Sequence, residues 1–344
     1  MKPSPVSRSE NEGRYSLKDI TIISEMLWSP TFIDWSTQFL LQSPNLTNLT
    51  LTFDHDDRPW RPDLKGHGPQ SWLANFRAVV VPTLNSFTCW SQINLGEDPI
   101  HAVYEAVAHF LSRHPTLETL VIRRCHVPNT IFSDLVQLDG PILPSLKKLQ
   151  AHPALIRWIL QEKKGLFDSL QDIEMDVTAH SGPLDVYDIV DQCLVSLLQH
   201  GLNRPDVQLH FTFPDIGHPC DWFLSHIAAA ERRVHLLSVD DARGARGALI
   251  ERFIGTRSVK VASDLDGLQK FPLPEQWPQA EILARWLGLF PDVEDIYVRA
   301  IKWSIPNVRV EMVAVDQAFN FRSNCPQAKK VMMGHIPLVE TYSS

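Results

Sequence analysis

The sequence has no long hydrophobic run, no cysteine framework and no basic cluster, and each lack removes a class of protein. Nowhere in 344 residues does a stretch approach the roughly 18 consecutive apolar residues of a membrane helix, and the segment from Met1 to Tyr15 has no apolar core of signal-peptide length. No membrane association is expected, and the chain reads as intracellular, cytoplasmic or nuclear. Its five cysteines (Cys89, Cys125, Cys193, Cys220 and Cys325) are odd in number and form no CxxC pair, which argues against a disulfide scaffold and a zinc cage. Lys and Arg total 32 against 40 Asp and Glu, for a formal charge of -8. Phosphate contacts need clustered cations, so a general nucleic-acid binder is not expected.

Catalytic signatures are missing as well. There is no GxSxG elbow, GxxxxGK[ST] loop, GxGxxG or HExxH. Lys65-Gly66-His67-Gly68 lacks a third glycine, and Asp264-Leu265-Asp266-Gly267 does not keep the ligand spacing of a calcium loop, so both read as turns. Asp54, His55, Asp56 and Asp57 lie in a charged, proline-rich stretch that reads as a long surface loop. His101, Glu105 and His109 share one helix face, but the two histidines stand about 12 Å apart along a helix, too far for one ion. No metal or cofactor is expected. Asn45 and Asn48 each open an Asn-Leu-Thr glycosylation pattern, which has no role without a secretion signal.

What is present is a repeated phrase: proline, a small polar residue, then apolar-x-x-apolar-x-apolar. It is clearest at Pro115-Thr116-Leu117 with Leu120 and Ile122. Other copies are Pro44-Asn45-Leu46 with Leu49 and Leu51, Pro82-Thr83-Leu84 with Phe87 and Cys89, Pro144-Ser145-Leu146 with Leu149 and Ala151, and Pro291-Asp292-Val293 with Ile296 and Val298. Ser169-Leu170 with Ile173 and Met175 lacks only the proline. Proline ends the preceding helix, and the alternation that follows predicts a short strand with one buried face. Cys89 and Cys125 fall at inward positions, where cysteine acts as a small hydrophobe.

Residues 1–18 are polar and aperiodic and are expected to form a disordered tail; residues 19–344 are expected to form a single array with helical and C-terminal caps. The pattern from Leu17 to Leu41 predicts a helix, and those of Pro99–Arg113, Asp185–His200, Asp221–Ala230 and Pro278–Leu289 predict four more. Gly201 is the expected stop of the second of these four. Weaker strands are expected at Val207–Phe213, Val234–Val239 and Ser258–Val261, and a last unit over Val308–Val315 and Phe319–Leu338. Successive proline slots lie 38, 33, 29 and 24 residues apart, a spacing suited to stacked strand-helix units.

Such a unit resembles the leucine-rich repeat, with Leu117, Leu120, Ile122 and Cys125 matching its LxxLxLxxC form. The irregular lengths and the proline-led phrasing are similar to the repeat region of fungal F-box-like proteins over roughly residues 40–300. The resemblance implies an α/β leucine-rich-repeat-like solenoid, a curved horseshoe with parallel strands on the concave face and helices on the convex one. It also implies a non-enzymatic interaction scaffold, the substrate-recognition part of a ubiquitin-ligase receptor. Residues before Leu17 are too few and too polar for an F-box, so a ligase adaptor is an expected partner only if that module is supplied elsewhere.

In a stack of this kind the residues between the apolar ones face away from the core. They are Asn48, Thr50 and Thr52; Ser86, Thr88 and Trp90; Thr119, Val121 and Arg123; Lys148, Gln150 and His152; Asp172, Glu174 and Asp176; Asp295, Tyr297 and Arg299. Trp90, Arg123 and Tyr297 are of the types that dominate interface energetics. Basic character at Arg123 and Lys148 gives way to acid at Asp172, Glu174 and Asp176. This surface is expected to bind another protein. The sequence leaves open a small-molecule receptor or enzyme with a pocket in the curve, and a degenerate family copy without a partner.

Overall fold

A computed structural model describes residues 17–23, 30–53, 80–91, 100–123, 143–160, 167–177, 185–214, 219–235, 249–263, 277–299, 320–333 and 336–340. Its strands are β1 (Asp19–Ile23), β2 (Asn48–Phe53), β3 (Ser86–Ser91), β4 (Thr119–Arg123), β5 (Lys148–Ala151), β6 (Asp172–Asp176), β7 (Gln208–Phe213), β8 (Ser258–Ser263), β9 (Asp295–Arg299), β10 (Lys330–Met333) and β11 (Ile336–Glu340). Its helices are α1 (Pro30–Leu41), α2 (Ile100–Arg113), α3 (Pro153–Leu160), α4 (Asp185–Gln199), α5 (Cys220–His235) and α6 (Trp277–Leu287). The strands belong to one sheet of eleven in chain order, ending at β1 and β11 and not closed into a barrel. Every described pairing is parallel except β10 with β11.

The proline phrase is a β-turn. Leu46 N–H bonds to Ser43 O at 3.1 Å, Leu84 to Val81 at 3.0 Å, Leu117 to His114 at 3.2 Å and Leu146 to Leu143 at 3.2 Å. Each turn has proline at its second position, where the fixed φ suits it. Just beyond, one backbone carbonyl takes two consecutive N–H groups of the next repeat. Lys18 O accepts from Thr47 and Asn48, Thr47 O from Asn85 and Ser86, Asn85 O from Glu118 and Thr119. The same pattern recurs where Lys147 O meets Gln171 and Asp172, Arg257 O meets Glu294 and Asp295, and Glu294 O meets Lys329 and Lys330.

The polar residue after the proline has its own task. Thr83 Oγ1 donates to Leu46 O at 2.8 Å, Thr116 Oγ1 to Leu84 O at 3.0 Å, and Gln327 Nε2 to Phe290 O at 2.8 Å. Asp292 works in the opposite sense, accepting from Gly255 N–H at 2.8 Å. These bonds satisfy turn carbonyls and amides that a stack of turns would otherwise leave without protein partners.

The chain divides into two compact units, Met1–Leu120 with Leu135–Leu146, and Val121–Asp134 with Lys147–Ser344. In the first, Ile20, Leu49 and Phe87 share one register row and Ile22, Leu51 and Cys89 the next, all buried. Helix α2 covers this face through Phe110, whose ring centre lies 4.6 Å from that of Phe87. His114 ends the helix region: its Nδ1 lies 2.6 Å from Phe110 O and its Nε2 accepts Val81 N–H at 3.0 Å. In the second unit the rows Leu149–Ile173–Leu209–Val259–Ile296–Val331 and Ala151–Met175–Phe211–Val261–Val298–Met333 are buried. Trp222 on α5 and Trp286 on α6 pack on Phe211, with ring centres 6.4 and 5.4 Å away.

Several expectations change. The helix expected from Leu17 to Leu41 is a strand followed by a helix, because Asp19-Ile20-Thr21-Ile22-Ile23 alternates with period two and its β-branched residues favour an extended chain. Lys18, placed in a tail, instead holds β2 through its carbonyl. The strand expected at Val234–Val239 begins inside α5, which runs to His235. The phrase fades before β7 because one residue is missing: Val207 is followed by Leu209 and Phe211, and Gln171 O accepts only Gln208 N–H. A further copy, Pro326-Gln327-Ala328 with Val331 and Met333, leads into β10, and Ala328 N–H closes its turn to Cys325 O at 3.0 Å. Residues 1–16, the loop from Asp54, the turns at Lys65 and Asp264, the Val308–Val315 strand and Cys125 lie outside the described residues.

Candidate functional site

The face opposite the core carries its own rows. Across the second unit the parallel register aligns Lys148, Asp172, Gln208, Ser258, Asp295 and Lys330, then Gln150, Glu174, His210, Lys260, Tyr297 and Met332. Asp176, Thr212, Ala262 and Arg299 form a third row. In the first unit Asn48 aligns with Ser86, Thr50 with Thr88 and Thr52 with Trp90, the last 40% exposed. Thr119 lies half-buried at the start of β4 and Val121 is buried. The residues selected from the sequence fall on the non-core positions of the strands, apart from Val121, which is buried with the core, and His152, which follows β5.

Accessibility is uneven along this face. Gln150, His152, Glu174 and Asp176 are only between 2 and 7% exposed. His152 serves as the cap of α3: its carbonyl accepts Leu155 and Ile156 N–H at 2.9 and 3.1 Å, and its Nδ1 accepts Ala154 N–H at 3.3 Å. It is a structural residue rather than an accessible one. Gln150 is equally buried, and its Nε2 has no hydrogen-bond partner.

The acidic patch expected at Asp172, Glu174 and Asp176 is largely neutralised from within. Arg123 reaches from β4 to β6, placing its guanidinium 3.4 Å from Glu174 Oε1, which also accepts the Thr212 hydroxyl at 2.8 Å. Burial raises the Glu174 pKa, with Asp176 acting in the same sense and Thr212, Arg123 and Lys148 against it. Asp172 Oδ2 lies 3.5 Å from Lys148 Nζ, and its Oδ1 lies 3.4 Å from His210 Nε2. Burial pushes the His210 pKa down to about 4; Lys260 and Lys148 add to this and Asp172 opposes it. At neutral pH His210 is uncharged, and its contact with Asp172 is not an ion pair.

Farther along, the face is basic and aromatic. Lys260 Nζ and Lys330 Nζ each sit 5.5 Å from the centre of the Tyr297 ring. Lys260 also donates to Gln208 Oε1 at 3.0 Å. Arg299, at the end of β9, is exposed. Lys260, Lys330 and Met332 occupy outward positions on β8 and β10 and complete this surface. Lys260 lies in the expected strand Ser258–Val261, which has no proline phrase, and Lys330 in the expected last unit, where the phrase is Pro326-Gln327-Ala328.

Other polar groupings are structural. Asp191 Oδ1 accepts Trp222 Nε1–H at 2.9 Å and lies 3.3 Å from His226 Nε2, while His226 Nδ1 sits 3.0 Å from Trp222 O. The His226 ring is fully buried, its Nε2 lies beside Asp191 without a hydrogen bond, and the cluster joins α4 to α5. A cavity of about 330 Å³ opens at the turn edge beside Arg257, Asp292 and Glu294. Its carboxylates are already engaged, Asp292 by Gly255 N–H at 2.8 Å and Glu294 by Lys329 at 2.9 Å. Cys193 and Cys325 are buried thiols, each with its pKa pushed up to about 12 by burial.

Among the described residues no three His, Cys, Asp or Glu side chains are placed to hold a metal ion. Of the helical trio, His109 is exposed, and the side chains of His101 and Glu105 lie outside the described residues. Among the described residues no helix is long and apolar enough to cross a membrane. No protein-family model matches the chain, and no curated protein matches its sequence.

Proposed function

We propose that this chain is a non-enzymatic recognition scaffold, a leucine-rich-repeat-like solenoid that presents the non-core face of its sheet to another protein. The observation supporting this reading is the in-register array of polar and aromatic side chains on parallel strands whose opposite face is the core. Strand backbone holds Trp90 in the first unit and Arg123, Tyr297 and Arg299 in the second with little main-chain freedom, so ordering each on binding costs little. The Arg123–Glu174–Thr212 bonds hold one of these side chains in place before a partner arrives. Within the proposal the strands line the concave side of a horseshoe, and a ubiquitin-ligase role depends on an F-box supplied elsewhere.

The test is affinity capture by the full chain and by a Trp90→Ala/Arg123→Glu variant, with captured proteins quantified and melting curves compared. The proposal expects the variant to keep its fold and lose partners. Equal capture by both proteins would count against this face as the recognition surface.

A further inference from the structure

Charge on the sheet face is distributed unequally. Toward β5 and β6 the carboxylates have cationic neighbours, Lys148 at Asp172 and Arg123 at Glu174. Along β8, β9 and β10 the balance reverses. The non-core positions there carry Lys260, Lys330 and Arg299 against the single carboxylate of Asp295, in a chain whose formal charge is -8. The adjoining strand β7 offers Gln208, an uncharged His210 and Thr212. None of the three cations is in an ion pair: Lys260 meets an amide and a ring, Lys330 meets the ring, and Arg299 makes no described contact. Like charges gathered in this way repel, and the register sets two acidic residues against the three cations, Asp295 and, on β11, Glu340, both opposite Lys330.

We propose that this β8–β10 surface binds an acidic, extended segment of a partner protein, with Asp or Glu carboxylates seated between Lys260, Lys330 and Arg299 beside Tyr297. The inference rests on the reading of the sheet face as a recognition surface and assigns its partner chemistry. The geometry suits a peptide. The two ammonium groups each lie 5.5 Å from the same ring centre, so they are at most 11 Å apart. Alternate side chains of an extended strand fall about 7 Å apart on one side, within the span of such a pair. The Tyr297 hydroxyl makes no hydrogen bond in the described fold and is available as a donor to a carboxylate. A nucleic acid of higher charge density would need a longer run of cations than three side chains provide.

The test uses the full chain and a fluorescein-labelled peptide of alternating glutamate and glycine, read by fluorescence anisotropy at low and physiological salt. A lysine-glycine peptide and a single-stranded oligo-uridine of matched charge serve as competitors. The glutamate peptide is expected to bind, to weaken with salt, and to lose at least about tenfold in affinity in Lys260→Glu/Lys330→Glu/Arg299→Glu. Arg232→Glu, on the outer surface of α5, should leave binding unchanged. If the triple variant fails to melt cooperatively, Lys260→Gln/Lys330→Gln decides in its place, with a smaller loss expected. No binding by the glutamate peptide, equal binding by the variants, or tighter binding by oligo-uridine would each overturn the inference. Should partner capture still depend on Trp90 and Arg123 in that event, the assignment of acidic chemistry fails alone and the recognition face stands.

Discussion

Thr256 offers a direct probe of the repeat. It occupies the turn position held by Leu46, Leu84, Leu117, Leu146, Leu170, Val207 and Val293, is fully buried, and its hydroxyl has no hydrogen-bond partner. Its N–H closes the turn to Phe253 O at 3.2 Å whatever the side chain. Thr256→Val keeps the branched shape and replaces the hydroxyl with a methyl group. A buried polar group left unpaired costs about 1–3 kcal/mol, and added methyl burial contributes up to about 0.8 kcal/mol. Taking the low end, because the unfolded chain is itself partly compact, the variant should gain about 1–2 kcal/mol. That corresponds to a rise in melting temperature of roughly 2–4 °C per kcal/mol for a unit of this size. Urea and thermal unfolding at neutral pH provide the assay, with the midpoint rising and the slope unchanged. Thr256→Ala loses the hydroxyl too but leaves a void, so it should be less stable than the valine variant. A valine variant less stable than the parent would show that the hydroxyl is satisfied and refute the reasoning.

Other outcomes follow from the same geometry. Burial lowers the His114 pKa, so the folded protein binds fewer protons than the unfolded chain below about pH 6.5 and loses stability as pH falls through that range. His114→Ala should cost about 3 kcal/mol at neutral pH by stranding the Val81 N–H, and should flatten the stability–pH slope by at most about 1.4 kcal/mol per pH unit. Glu174 has the opposite sign: its raised pKa means that its ionisation weakens folding as pH rises above the usual carboxylate range. Glu174→Gln should therefore gain on the parent between pH 4 and pH 7 in matched urea titrations, and a gain that shrinks over that interval would contradict the burial account. Gly201 and Gly255 both have positive φ, 67° and 97°, but an added Cβ meets nothing at Gly201 and comes within 2.7 Å of Asn203 O at Gly255. Thermal melts should show Gly201→Ala losing about 1 kcal/mol and Gly255→Ala clearly more.

Much of this fold can be read from the proline phrase, because its parts act locally. Proline sets the turn, the residue after it binds the neighbouring turn, and the alternation sets which side chains are buried. The phrase weakens where a local rule is broken by one residue, as before β7, although the alternation still marks that strand, and reading stops where a unit lacks the phrase, as in β1. Nor does a local pattern show how much of the outward face is accessible. Lys148 and Gln150 alternate identically in the chain, yet one is half-exposed and the other enclosed. The Arg123–Glu174 pair joins residues 51 apart in sequence and two strands apart in the sheet, beyond the reach of periodicity. The basic surface at Lys260 and Lys330 needed the register, since neither residue stands near Tyr297 in the chain.

The most direct measurement is site-specific photocrosslinking of the full chain in its native extract. A benzophenone side chain replaces Tyr297 on the sheet face in one protein and Leu224, exposed on α5, in another. The account predicts discrete protein adducts from the Tyr297 position and none in common from Leu224. Adducts from Leu224 alone would place recognition on the helical surface and contradict it.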